Sequence, residues 1–362
     1  MLIRNLRRSF FSKLEFMTQL KADVKKFESS QYFEKILPRV FNQNDPQFSK
    51  YDDVETLTKS ISNPIYDLLD RGGKRWRPAL CFMIADLFNR NHKELYEVAA
   101  LVELIHNATL IVDDIEDDSV VRRNDKCIHI KYGVDVAVNA GNYVYFAPLH
   151  YFLNSANYSD QQKMKILAIC LNNMRVVHFG QAWDIYWHKQ NSDIIPTEEQ
   201  YLKMAQYKTG ALSCMAAQLS CIVLDKNEKV GEALAKFAAQ IGIAFQIQDD
   251  ILNLNGGEKY KKTKGYLGED IHEGKFSLIV IHSLKQKKGR LFDILKSRTE
   301  DQELINEAIS IIKQTGSLEY AHKRSLEIIE EAWKEVENLE FDCPEAKARL
   351  KDFAKYLIER DS

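Results

Sequence analysis

Long stretches of this chain place apolar residues three and four apart, and little interrupts them: 362 residues contain 7 Pro and 15 Gly. Sandwiches, barrels and Gly-looped nucleotide folds need many tight turns, which those two residues supply. The scarcity points to long helices. Residues 95–117, 161–188, 199–224, 229–255 and 302–338 carry helical spacing, whereas alternating β-branched runs bounded by turns are nearly absent. The expected fold is all-α, a multi-helix bundle forming a single domain over residues 15–362. Hydrophobic residues at 45% and charged residues at 28% supply a large core and exclude disorder.

The 50 Lys and Arg nearly balance 52 Asp and Glu, a net charge of −2 that removes the simplest case for a nucleic-acid partner. No run of about 18 charge-free apolar residues marks a membrane span. Cys81, Cys127, Cys170, Cys214, Cys221 and Cys343 form no CxxC pair and lie mostly in apolar helical surroundings. They read as reduced, buried thiols, and a cytoplasmic location is expected. Residues 1–14 hold Arg4, Arg7, Arg8 and Lys13 but no acid, among Leu2, Ile3, Leu6, Phe10 and Phe11. This segment is either a mitochondrial presequence or a basic first turn leading into a helix that begins near Leu14.

Two apolar helices end in acids. The first closes with HNATLIVDDIEDDSVVRR, where His106, Asp113 and Asp117 share one face and Asp114 flanks it. The second, Val230–Leu254, closes with FQIQDDILN, which contains Gln246, Asp249, Asp250 and Asn253. Carboxylates at such spacing repel and raise one another's pKa unless a cation sits among them. Hard oxygen ligands without His or Cys suit Mg²⁺, which takes one or two carboxylates plus waters and phosphate oxygens. One such cluster is as well explained by a solvated helix end. Two clusters suggest carboxylate walls facing across a central cavity and holding a diphosphate through bridging metals. Positioned cations should accompany them; the candidates are Lys74, Arg75 and Arg77 in GGKRWRP, then Arg122, Arg123, Lys208 and Lys275. Gly72-Gly73 is a weak phosphate-loop cue and lacks the Ser or Thr of a nucleotide P-loop. Lys259–Lys264 is either a loop that closes the site or a solvated loop.

These segments, together with GQAWDIYW, KTGAL, GEDIHEGKFS and GSLEYAHKRSLEIIEEA, resemble the trans-isoprenyl diphosphate synthases, most of all the geranylgeranyl type. The matches run in family order from residue 72 to about residue 331. The resemblance implies that Asp113, Asp114, Asp117, Asp249 and Asp250 bind Mg²⁺, three ions in all with substrate. It implies that Arg122, Lys208 and Lys275 contact the allylic diphosphate (dimethylallyl, geranyl or farnesyl). Lys74, Arg77, His106 and Arg123 would bind isopentenyl diphosphate without metal. Lys208, Thr209 and Gln246 would line the reacting centre, with Gln181, Asp184 and Asn253 in support, and the enzyme would be a homodimer. The sequence departs from the family pattern at Asn253, often Asp, and at Ile279, often Pro. An extra residue in KGYLGED removes Lys264 from the assignment.

Ala108 and Thr109 lie one turn below Asp113. Farnesyl-producing relatives commonly place bulky aromatics there, so two small residues leave the pocket open for a product longer than fifteen carbons. Twenty is the expectation, with longer or farnesyl products as alternatives and a lower floor at Tyr143, Phe146, His150 or Tyr151. A class I terpene synthase would not need the second diphosphate site and would carry a different metal motif. A non-catalytic subunit could lose the first aspartate motif, which is intact.

Overall fold

A computed structural model describes residues 2–189, 194–257 and 267–360, with side chains from Glu15 onward. The Lys259–Lys264 loop and the side chains of residues 1–14 lie outside the described residues. The fold is all-α. Three expected helices form with nearly the expected bounds, as Tyr96–Glu116, Asp160–Lys189 and Glu228–Asn255.

Three others differ. The first helix runs Leu2–Glu28 rather than from Leu14, since nothing in that stretch breaks a helix. The 199–224 segment becomes Glu198–Ala205 and Ala211–Val223, joined by a π-helical turn at Gln206–Gly210. The 302–338 segment splits into Gln302–Gln314 and Ser317–Trp333. Gly316, at φ +62°, takes a left-handed conformation that costs glycine little. The Thr315 and Ser317 hydroxyls fix the break by bonding Ser283 Oγ at 2.6 and 3.0 Å.

By its contacts the chain divides into two compact units. One comprises Met1–Cys170, Ala216–Gly231 and Glu340–Phe353; the other comprises Leu171–Met215, Glu232–Leu339 and Ala354–Ser362. The first unit is centred on the Tyr96–Glu116 helix, which is buried without interruption from Leu95 to Ile105. By length and composition this stretch could cross a bilayer, but it is a core helix, mostly covered by protein. The Trp76–Leu87, Val134–Asn154 and Tyr32–Ile36 helices pack on it. A Cβ on Gly141 would lie 3.0 Å from Val112 Cγ2 and 3.5 Å from Ala108 O, so glycine lets the Val134–Asn154 helix approach closely. The only strands among the described residues form a two-residue ladder, Val121–Arg122 against Asp125–Lys126. Its turn residues, Arg123 and Asn124, both have positive φ (+53° and +65°), as a type I′ hairpin demands.

In the second unit, small residues let helices meet closely. A Cβ on Gly242 would sit 2.5 Å from Gly210 Cα, and one on Gly180 would collide with the Lys208 backbone. That contact seats the π-helical turn against the Asp160–Lys189 helix.

Candidate active site

The first acid cluster sits at a helix C-terminus, where the unpaired carbonyls already carry partial negative charge, whereas Asp249 and Asp250 lie more than a turn before the end of theirs. Acids at a C-terminus are doubly unfavourable unless cations compensate. In the first unit Asp114 is fully buried, and Arg122 supplies that compensation: its Nε and Nη2 both donate to Asp114 Oδ1, the former at 2.7 Å. Arg122 Nη2 also lies 3.8 Å from Asp113 Oδ2. Asp117, buried as well, follows the last helical residue, its N–H bonded to Asp113 O at 2.8 Å.

The basic groups of this unit are mostly buried guanidiniums. Lys74 is exposed, but Arg75 and Arg77 are 4% exposed, and the Arg77 guanidinium lies 4.6 Å from the Trp76 ring centre. Burial, then Arg77, Arg123, Arg75 and Arg122, hold the His106 pKa well below its ordinary value. The imidazole is therefore neutral, and its neighbourhood is strongly positive. A Cβ on Gly73 would lie 3.0 Å from Arg123 Nη2, so its absence makes room for that guanidinium.

Ala108 is fully buried at the crossing with Gly141, whereas Thr109 keeps some accessible surface and donates its hydroxyl to His106 O at 2.8 Å. Of the expected floor residues, Phe146 and His150 are exposed. Tyr151 donates to Glu97 Oε1 at 2.9 Å, and Tyr143 packs edge-on against Phe41.

The second unit gathers a different set. Lys208 Nζ donates to Asp184 Oδ2 at 2.6 Å, and Asp184 lies one turn beyond Gly180 on the same helix. Burial pushes the Asp184 carboxyl up, but Lys208, His188 and Lys275 outweigh it and hold the group below the usual carboxylate range. Lys275 pairs with Glu273. Thr209 Oγ1 donates to Gln246 Oε1 at 2.7 Å, and Gln246 Nε2 to Asp250 Oδ1 at 2.8 Å. Tyr201 OH completes the chain, donating to Asp250 Oδ2 at 2.6 Å. Burial, opposed by those two donors and reinforced by Asp249 and Asp184, pushes the Asp250 pKa up. Asn253 Oδ1 accepts from Asp270 N at 3.2 Å, an acceptor's task that an Asp would also perform. Gln181 is half-buried one residue after Gly180.

Two contributors carry no signal in the sequence. Tyr201 looks like a core aromatic. Arg360, near the C-terminus, ion-pairs with Asp249 while its guanidinium lies 3.8 Å from the Phe245 ring centre.

A Mg²⁺ ion suits these donors. They are hard carboxylate oxygens without thiol or imidazole, and Asp114 Oδ2 is buried with no hydrogen-bond partner. Among the described residues no three such groups enclose an ion by themselves.

The polyprenyl synthetase family model matches residues 58–312. A short chain isoprenyl diphosphate synthase of Methanocaldococcus jannaschii is 38% identical over 287 residues, 78% of this chain and 84% of that protein. Geranylgeranyl pyrophosphate synthase paxG of Penicillium paxilli is 34% identical over 295 residues, 80% of this chain and 76% of the relative. The crystal structure of geranylgeranyl pyrophosphate synthetase from Pyrococcus horikoshii superposes with a TM-score of 0.79 at 27% identity, covering 96% of this chain and 98% of that one.

Proposed function

Because the chain belongs to the polyprenyl synthetase family and is a prenyltransferase, we propose that it joins isopentenyl diphosphate head-to-tail to an allylic diphosphate, giving all-trans geranylgeranyl diphosphate. The observation that carries this reading is the pair of acid clusters near helix ends, each accompanied by basic residues that the family motifs align with diphosphates. Asp113, Asp114, Asp117, Asp249 and Asp250 hold Mg²⁺, and Arg122, Lys208 and Lys275 contact the allylic diphosphate. Bound magnesium supplies positive charge that stabilises the departing diphosphate.

The allylic C–O bond breaks with its electron pair leaving on the diphosphate. The double bond of isopentenyl diphosphate, held by Lys74, Arg77, His106 and Arg123, forms the new C–C bond to the resulting cation. A proton then passes from the isopentenyl carbon to the released diphosphate. Thr209 and Asp250 fix the Gln246 carboxamide, so its oxygen is oriented before the cation forms. The π-helical turn at Gln206–Gly210 loosens the regular helical ladder around Lys208 and Thr209, which makes backbone carbonyls available to the same charge. Water must be excluded, since it would quench the cation.

Val138, Phe146 and Leu153 on the Val134–Asn154 helix are exposed, as are Leu171, Phe179 and Trp183 on Asp160–Lys189. Such apolar surface supports a homodimer. No disulfide is found among the described cysteines, which suits a reducing compartment such as the cytoplasm.

The test is incubation with labelled isopentenyl diphosphate, Mg²⁺ and each primer in turn, followed by chromatography. A labelled twenty-carbon diphosphate is expected; a cyclised hydrocarbon or no turnover contradicts the reading. Thr109→Phe should shorten the product toward fifteen carbons. It is a cleaner probe than Ala108→Phe, because Phe at 108 would also have to displace the helix at Gly141. An unchanged product length in Thr109→Phe removes this position from the pocket.

A further inference from the structure

Asn107 lies between Glu103 and Arg123. It is fully buried one helical turn beyond Glu103, which is 2% exposed. Its Nδ2 donates to Glu103 O at 2.7 Å and to Glu103 Oε1 at 3.1 Å. With the NH₂ side committed to a carboxylate, the amide cannot flip without placing its oxygen against that charge. The carboxamide oxygen is thereby turned toward Arg123, whose Nη1 donates to it at 2.8 Å and to Leu68 O at 3.0 Å. Two acceptors on one terminal nitrogen fix both the position and the plane of a guanidinium.

Glu103 is itself held. Arg75 Nη1 donates to Glu103 Oε1 at 2.6 Å, while its Nε reaches Glu28 Oε1 at 2.7 Å and its Nη2 reaches Leu69 O at 2.6 Å. Arg75 and Arg123 both have left-handed backbone, with φ of +47° and +53°. A residue other than glycine keeps such a conformation only where its surroundings determine it strongly. Here the determinants are the I′ hairpin turn for Arg123 and the hydrogen-bonded side chains of both, buried for Arg75 and half-buried for Arg123.

We propose that Asn107, oriented by Glu103, is a positioning residue that aims Arg123 at the diphosphate of isopentenyl diphosphate; this rests on the reading of Arg123 as a contact to that group. Without the carboxamide, Arg123 keeps its place in the hairpin but loses the acceptor that sets its orientation, and repulsion from Arg75 and Arg122 turns it away.

The experiment is a double-mutant cycle of Asn107→Ala and Arg123→Ala, read as the separate KM values for isopentenyl diphosphate and for the allylic primer. Asn107→Ala is expected to raise the KM for isopentenyl diphosphate by ~10-fold or more, with the allylic KM and kcat within about threefold of wild type. The double variant should match Arg123→Ala alone, since the asparagine acts through that arginine. An Asn107→Ala enzyme that moves both KM values together, or whose effect adds fully to that of Arg123→Ala, overturns the inference while leaving the role of Arg123 intact. An Arg123→Ala enzyme with unchanged KM for isopentenyl diphosphate overturns the underlying reading and the inference with it. Should Asn107→Ala not fold, Glu103→Gln supplies the same test: it keeps the shape and an acceptor but removes the charge. It should raise the same KM about threefold, and no change there overturns the proposal.

Discussion

The two units handle charge with different chemistry. In the first, the buried cations are guanidiniums, and a polar network built on Glu103 and Asn107 ties Arg75 and Arg123 to backbone carbonyls. In the second, Lys208 is seated on Asp184 and Lys275 on Glu273, and the one guanidinium described beside the acid cluster, Arg360, is paired with Asp249. Arginine keeps its charge and plane when buried, so the first arrangement is rigid and ready for an anion. A lysine is a flexible point charge, so under the proposed reading an arriving phosphate would compete with the carboxylate that each lysine holds here. The acids differ similarly, since Asp114 is bound by a cation and Asp250 by the neutral donors Tyr201 and Gln246.

Stability should break this comparison most sharply if it is wrong. Glu103→Ala removes one of the two carboxylates paired with the buried Arg75, together with an acceptor of Asn107, and is expected to cost about 3–5 kcal/mol. Asp184→Asn, beside a partly exposed lysine, should cost only about 1–3 kcal/mol. Denaturant unfolding measures both, and equal costs would erase the distinction. Activity comes next. Asp114→Ala and Asp249→Ala are each expected to lower kcat by about 10²–10³-fold in steady-state assays. A large loss from only one of them would confine the metals to one cluster.

The pH dependence is the smallest effect. His106 is held neutral in the folded chain, whereas the unfolded chain protonates it below its ordinary value of 6.5. The unfolded state thus binds the extra proton, and stability falls as pH drops through that value, by at most about 1.4 kcal/mol per pH unit. His106→Gln should flatten this slope in urea titrations run between pH 5 and 7; an unchanged slope places its origin elsewhere.

Much of this was legible in the chain itself. Helical spacing located Tyr96–Glu116 and Glu228–Asn255 nearly to the residue, because their apolar faces are long and their ends are marked by acids. The acid clusters stood out because charge at the end of an apolar helix is unusual wherever it occurs. What stayed hidden depends on distant partners. Asn107 reads as an ordinary neighbour of His106 until Arg123 is seen to fold back onto it. Tyr201 and Arg360 are unremarkable until Asp250 and Asp249 are placed beside them. The π-helical turn at Gln206–Gly210 has no compositional mark, since its cause is the close seat of Lys208 on Gly180. Helix spacing also overran Thr315-Gly316, where the deciding bonds come from Ser283.

The central proposal is that the allylic diphosphate is held by metal together with Arg122, Lys208 and Lys275, and isopentenyl diphosphate without metal by Lys74, Arg77, His106 and Arg123. Calorimetry tests it directly, by titrating the enzyme with isopentenyl diphosphate and, separately, with a non-ionisable allylic thiolodiphosphate, in Mg²⁺ and in EDTA. The account predicts that EDTA weakens the allylic analogue at least tenfold and leaves isopentenyl diphosphate within about twofold. Equal dependence of both ligands on Mg²⁺ would contradict it.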